Sequence, residues 1–482
     1  MGYNLATMLG DLKKILQDEC QIDIDKLILV AVSGGPDSLC IADYLHREGY
    51  QIAIAHYDHK LRQDSVYDAE AARQFAQARG LRFLLGEGKV AERAREAHET
   101  IEEAARFERY QFFFRAAGEI GAQAVISGHT ADDQVETVLM HFLRGSGLDG
   151  MGGMHFRWQP NAWHPEIPLV RPLLGTWREE TLSYCKERGL NPVSDPTNQD
   201  PAFFRNRLRL ELIPYLETYN PSIRKLIWQT AEVLRKDGAI IHKDLDEAWA
   251  QVMLVEGEDY VCLDANLGKG YSIGIQRRLV RRAIEHMRPG LRDISFDAVE
   301  RGVASFRSSM QFKEQDLIAG LKLVSEVGKL WFAEWGAELP TDEWPQVVAD
   351  VEELDSGNTI QLRQGWQLSA QIIDLEAHPS SSAFENIDPN QAWLDHELIQ
   401  WPLVVRSREA GDRFHPHGMG GHSQKLSDFM INQKVPRRAR MHWPIVCSGD
   451  KIVWVAGLRP EHAYRITPET KQALKLCLKR SD

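Results

Sequence analysis

The sequence predicts an α/β protein: an N-terminal, mostly parallel sheet with helices on both faces in a Rossmann-like arrangement, then a helical middle domain and a small mixed α+β C-terminal domain. Three observations carry this prediction. Residues 27–128 alternate between continuous apolar runs and segments of helical period, the pattern of a parallel sheet covered by helices. Residues 204–308 read as mostly helical and lack that alternation. From Trp401 a compact mixed segment begins. At 482 residues the chain is too long for one ordinary core, so two or three domains are expected.

The elements follow in order. Residues 1–20 read as a short amphipathic helix rather than a signal peptide, since they lack an uninterrupted apolar core and a small-residue cleavage site. Residues 27–32 form a continuous apolar strand, and 39–49 a helix that stops at glycine. A second strand spans 51–56, a helix 65–80, a short strand 82–85 and a long helix 92–117. Another strand covers 122–127, followed by a helix from about Asp132. In such sheets ligands sit outside the carboxyl ends of the strands. Three polar clusters fall there, at 33–38, 56–62 and 127–136. Further on, residues 359–362 and 366–373 flank Arg363-Gln-Gly365 as a hairpin would. Residues 341–357 hold six acids and no base, the pattern of a solvated connector. Residues 403–406 and 451–455 are strand candidates.

Composition narrows the classes. Hydrophobic residues make up 43% and charged residues 26%, ordinary for a soluble globular chain. No window approaches ~18 unbroken apolar residues, so no membrane span is expected. The six cysteines, at 20, 40, 185, 262, 447 and 477, form no CxxC pair. That argues against a structural zinc site or a disulfide framework and fits a reducing cytoplasm. The formal net charge of −12, taken alone, opposes nucleic-acid binding. The average hides an asymmetry: residues 401–482 carry 15 Lys/Arg against 7 Asp/Glu, a balance of +8 that leaves −20 for the rest.

The first polar cluster is Ser33-Gly34-Gly35-Pro36-Asp37-Ser38. Placed between a strand and a helix, it can aim several backbone N–H groups and a helix N-terminus at one anion. Pro36 suits the first helical turn. The lysine of a Walker A loop is missing. A loop without it can hold a pyrophosphate that leaves as a unit, with attack at the α-phosphate. Asp37 then makes sense as a Mg²⁺ contact, because the metal turns repulsion between carboxylate and phosphate into a bridge. The third cluster, Ser127-Gly-His-Thr-Ala-Asp-Asp-Gln-Val-Glu-Thr137, puts Asp133 and Glu136 on one helix face. Val135, Val138, Leu139 and Phe142 should line the core face. A capping box explains Thr130 and Asp133; paired carboxylates opposite a phosphate loop could instead hold Mg²⁺ or the ammonium of an amine substrate. Arg144 follows in a second glycine turn.

The string SGGPDS resembles the signature of the PP-loop ATP pyrophosphatases, which cleave ATP between the α- and β-phosphates and form an adenylated intermediate. Within that superfamily GHTADDQVETVLMHFLRGSG closely resembles the tRNA(Ile)-lysidine synthases. Supporting matches follow in order: His56-Tyr-Asp-His-Lys-Leu-Arg62, Ala105-Arg-Phe-Glu-Arg-Tyr110, Arg171-Pro-Leu-Leu174, Ser194-Asp-Pro-Thr-Asn198 and Phe204-Arg-Asn-Arg-Leu-Arg209. Near the C-terminus, Gly411-Asp-Arg-Phe414, Lys425-Leu426 and Val453-Trp-Val-Ala-Gly457 resemble the terminal domain. Many relatives follow the Lys-Leu pair with further lysines; this chain has Ser427-Asp428.

The resemblance implies ATP-dependent ligation of L-lysine to C2 of the wobble cytidine in the isoleucine tRNA with a CAU anticodon. Cytosine O2 first attacks the α-phosphate and pyrophosphate leaves; the lysine amine then displaces AMP. It implies ATP as substrate, Mg²⁺ on Asp37 and Asp133, and a cytoplasmic enzyme, with a homodimer left open. His56, His59 and Arg62 are placed on the adenosine side. Asp133, Glu136, Arg109, His129 and Arg144 are placed in catalysis, lysine binding or metal binding. The expected tRNA contacts are Arg205, Arg207, Arg277, Arg278, Arg281, Arg282, Arg413, Lys425, Arg437, Arg438 and Arg440. The implied division is a catalytic domain at 1–215, a helical tRNA-contacting domain at 216–330, a connecting segment with strands at 331–400 and a basic tRNA-binding domain at 401–482. Competing readings are a tRNA thiolase of the same superfamily and a non-catalytic RNA-binding protein.

Overall fold

The computed structural model describes residues 5–60, 65–88, 90–96, 100–159, 161, 163–193, 200–201, 203–291, 293–307, 312–375 and 386–481. The chain divides into two compact units, 1–242 and 243–482.

The first unit is built on a six-stranded sheet in the order β3-β2-β1-β4-β6-β5. The strands are β1 (Ile28–Ala31), β2 (Ile52–Asp58), β3 (Arg82–Glu87), β4 (Val125–Ile126), β5 (Arg157–Trp158) and β6 (Leu169–Val170). All neighbours run parallel except β5, which is antiparallel to β6. The helices are α1 (Leu5–Asp18), α2 (Pro36–Arg47), α3 (Ser65–Gln77), α4 (Val90–Glu96), α5 (Ile101–Ile120) and α6 (Ala131–Leu143), with further helical segments beyond. The central strands are apolar on both faces because both faces are covered. Ile28, Val30, Ile52 and Ile54 pack with Leu12, Leu16 and Ile41 on one side. Leu29, Ala53, Ala55 and Val125 pack with Tyr110, Phe113 and Phe114 on the other.

Two expectations need correction here. The single helix at 92–117 is two helices, α4 and α5. The Thr100 hydroxyl caps the Glu103 N–H while the Glu103 carboxylate accepts from the Thr100 N–H. That reciprocal box starts a new helix. Phe142, expected in the core, is 64% exposed, whereas Val135, Val138 and Leu139 are buried as predicted.

The second unit begins inside the long helix Ile223–Val252. Its first sheet is antiparallel and joins Met253–Glu256 and Tyr260–Asp264 to Phe312–Ile318, Leu321–Glu326 and Lys329–Glu334. The first two strands interrupt a stretch read as free of alternation. Each is only four or five residues long, so no period emerged. The helices Ile273–Met287 and Phe296–Phe306 bury Leu279, Ala283, Ile284, Val299 and Val303 in the core this sheet shares. The next two sheets hold four strands each. The predicted hairpin is present as Thr359–Gln361 against Trp366–Asp374, turned by Gln364 and Gly365 at φ 53° and 78°. The predicted strands Leu403–Arg406 and Lys451–Val455 are also present. The acidic stretch 341–357 is more than a connector: Val351–Leu354 pairs with Leu403–Arg406, and Val347 and Leu354 are buried. The step at Ser308-Ser309 lies outside the described residues.

Candidate active site

Residues 33–38 join β1 to α2 at the carboxyl edge of the sheet. Gly34 sits at φ 87°, where a side chain would be strained. The Ser33 N–H donates to Ser38 Oγ at 3.2 Å, and Ser38 Oγ donates to the Gly35 carbonyl at 3.0 Å. Gly35 is the N-cap of α2, and Pro36 opens its first turn. The N-terminus of a twelve-residue helix adds partial positive charge to this turn. Asp37 lies in that first turn. The Thr181 hydroxyl donates to its Oδ1 and Arg178 to its Oδ2. Burial nevertheless pushes its carboxyl up to about 6, against the lowering by Thr181 and Arg178; Asp133 and Asp132 push the same way.

The loop after β4 lies directly on this turn. A Cβ on Gly128 would stand 2.9 Å from the Ser38 nitrogen and 3.0 Å from the Asp37 carbonyl carbon. Backbone cannot yield cheaply to such an overlap. Gly128→Ala is therefore expected to displace the 33–38 turn and weaken ATP binding by about tenfold or more, as titration calorimetry would read. The substitution should leave far-ultraviolet circular dichroism unchanged.

Asp133 serves two purposes. Its Oδ2 accepts from the Thr130 N–H and hydroxyl at 2.8 and 3.0 Å, the capping geometry. Its Oδ1 faces Arg205 at 3.6 Å and Arg209 at 3.9 Å. Glu136 shares that face, as the spacing predicted, but it is 1% exposed and has both oxygens taken. Arg205 Nε donates to one oxygen at 2.8 Å and Arg209 Nε to the other at 2.6 Å. Arg205, expected at an RNA-facing surface, is thus committed to Glu136, to the Asp133 carbonyl and to Thr137. Arg207, two residues on, is exposed.

The remaining site residues divide. His56 is buried, and its Nδ1 lies 2.7 Å from the Val32 carbonyl. Burial, then Arg109 and His56, hold the His59 imidazole down to about 4, and its Nδ1 is buried without a partner. Burial likewise keeps His129 well below its ordinary value, with Nδ1 2.9 Å from Ser127 Oγ. Both rings are held towards the neutral form. Arg109 is half-buried beside Tyr110. Arg144 is exposed at the far end of α6, about 16 Å of helix from Asp133, so the fold does not bring it to the carboxylates. Arg62 and the 194–198 motif lie outside the described residues. Sequence reasoning missed Arg178, Thr181 and Arg224. Arg178 links Asp37 to Asp132 through its side chain and its N–H, and Arg224 donates to Asp132 at 3.0 Å. The available signal was a base in the first turn of the helix Arg178–Glu187, where acids are the usual choice.

The basic candidates of the second unit also divide. Arg277, Arg281 and Arg282 lie on the outer face of their helix and pair with Glu300, Glu285 and Asp246; Arg278 is half-exposed on the same helix. Arg413, Lys425 and Arg437 are exposed, and Arg440 donates to the Val435 carbonyl at 2.7 Å. Arg438 is not a surface cation. It stands 4.6 Å from the Trp331 ring and 4.9 Å from Trp344, bonds the nearly buried Glu326 at 3.0 Å, and donates to the Pro340 carbonyl. Arg438→Met should cost about 3–5 kcal/mol, because Glu326 would be left buried and uncompensated; urea unfolding followed by tryptophan fluorescence reads it.

Comparison with known proteins matches two family models: a PP-loop domain over residues 6–216 and a TilS substrate C-terminal domain over 403–476. The tRNA(Ile)-lysidine synthase of Symbiobacterium thermophilum is 33% identical over 470 residues, 94% of each chain. That of Geobacter sulfurreducens is 34% identical over 91% of this chain and 90% of its own. The chain belongs to the tRNA(Ile)-lysidine synthase family. The PP-loop domain match of this lysidine synthase family member includes the 33–38 turn, and its C-terminal domain match includes Arg413, Lys425, Arg437 and Arg440. Among the described residues no helix is long and apolar enough to cross a membrane.

Proposed function

We propose that the protein ligates L-lysine to C2 of the wobble cytidine of tRNA(Ile) with a CAU anticodon, through an adenylated cytidine, releasing AMP and pyrophosphate. The observation that supports this reading is the packing of Gly128 against the SGGPDS turn, with Asp37 in that turn and Asp133 near enough to act on its charge. The turn's N–H groups and the α2 N-terminus receive the departing pyrophosphate. Asp37, raised by burial and further by Asp133 and Asp132, is suited to a cation shared with phosphate. Mg²⁺ held there by Asp37 and Asp133 would stabilise charge on the leaving group. Asp133 Oδ1, which meets Arg205 and Arg209 only at 3.6 and 3.9 Å, would receive the lysine ammonium, since both Glu136 oxygens are hydrogen-bonded. His56 and His59, neutral at the end of β2, would face the adenosine. Arg207, Arg277, Arg278, Arg281, Arg282, Arg413, Lys425, Arg437 and Arg440 would contact the tRNA backbone.

A thiolase would use reactive thiols. Here burial pushes Cys20 and Cys262 up to about 12, and Cys185 and Cys447 up to about 11, so thiolate is suppressed at these four positions at neutral pH. The deciding experiment is incubation with labelled lysine, ATP and total bacterial tRNA. Label is expected in one isoleucine tRNA; labelled sulfur entering tRNA in its place would overturn the reading.

A further inference from the structure

At the same edge of the sheet a group of arginines is gathered on Tyr110. We infer that Arg109, Arg171 and Arg106, gathered around Tyr110, form a second oxyanion subsite that takes one phosphate group, distinct from the pyrophosphate cradle at 33–38. This rests on reading the cleft as an ATP and tRNA site.

Arg171 follows β6 and is 3% exposed. One of its terminal nitrogens donates to the His155 carbonyl at 3.0 Å, while its Nε is buried with no partner. Leaving a buried guanidinium donor unmatched is costly, and among the described side chains no acid forms an ion pair with Arg171 or Arg109. The Tyr110 hydroxyl lies within reach of both Arg109 and Arg171, and the Arg106 guanidinium is 5.1 Å from the Tyr110 ring. Tyr110 itself is fixed by stacking on Trp163 at 4.5 Å. Burial works to raise its phenol, yet the surrounding arginines outweigh burial and hold it below its ordinary value. The local field is therefore strongly positive. Ser127, the residue before Gly128, donates its N–H to the Val170 carbonyl at 3.0 Å, so Arg171 leaves the sheet directly beside the loop that carries Gly128. An anion with three oxygens suits a cluster of forked donors of this kind.

A phosphate could come from two sources: the α-phosphate of ATP and AMP, or a phosphodiester of the RNA next to the reacting base. Titrations of AMP, adenosine, sodium pyrophosphate and tRNA into wild type, Arg171→Lys and Arg106→Ala tell them apart. If the α-phosphate is the occupant, the advantage of AMP over adenosine falls by about tenfold in both variants, while pyrophosphate binding changes less than about twofold. If a phosphodiester is the occupant, AMP binding holds and the salt dependence of tRNA binding weakens by about one charge. Unchanged AMP and tRNA binding in Arg106→Ala, whose exposed position spares the fold, overturns the subsite. Failure of the wild type to bind AMP or tRNA at all would instead defeat the functional reading beneath it.

Discussion

Asp37→Asn is expected to lower tRNA-dependent pyrophosphate release on the order of 10³-fold while the fold is kept and becomes more stable at alkaline pH. The kinetic loss follows from removing the acid that shares a cation with the leaving group, an electrostatic contribution of this rank. The gain in stability follows from its titration. Asp37 sits at about 6 against an ordinary 3.8. Its folded pKa is above its unfolded one, so its favourable contribution is complete below pH 3.8 and is lost as pH rises through about 6. At pH 8 the ionised carboxylate is a cost of about 1–3 kcal/mol, which Asn removes while Thr181 keeps an oxygen to donate to. Thermal melts should show the variant above wild type at pH 8 and level with it near pH 4. Wild-type turnover in this variant would remove Asp37 from the mechanism.

Glu136→Gln is expected to produce a large loss of stability, about 3–5 kcal/mol. The carboxylate is the common acceptor of Arg205 and Arg209, and without its charge the two mostly buried guanidinium groups keep Asp133 only at 3.6 and 3.9 Å. The melting temperature should fall by about 6–20 °C for a unit of this size. A cycle with Arg209→Met separates this from general damage. The double variant should be less destabilised than the sum of the singles, by about 1–3 kcal/mol. Additive effects would show that the Glu136–Arg209 bond carries none of the stability assigned to it.

Much of the site was legible because its chemistry is local. The SGGPDS turn, the Thr130 cap and the shared face of Asp133 and Glu136 are fixed by neighbours within four residues. What the sequence could not show was which partner each group meets across the fold. Glu136 reads as a free acid until Arg205 and Arg209 arrive some seventy positions later. Arg438 reads as one base in a basic run until Trp331, Trp344 and Glu326 enclose it. The same holds for the fold: long apolar strands and glycine-stopped helices announced the parallel sheet, whereas the short strands at 260–264 and 351–354 pair with the distant segments 329–333 and 403–406. The break between α4 and α5 was readable, since Thr100 and Glu103 carry the capping pattern, but helical period on both sides concealed it.

The central claim is that the lysine-free glycine turn holds pyrophosphate as it departs from the α-phosphate. The most direct measurement supplies ATP labelled on its terminal phosphate, together with tRNA(Ile) and Mg²⁺, and resolves the labelled product. Labelled pyrophosphate in step with AMP, abolished by chelating the metal, is the predicted result; labelled orthophosphate accompanied by ADP would contradict it.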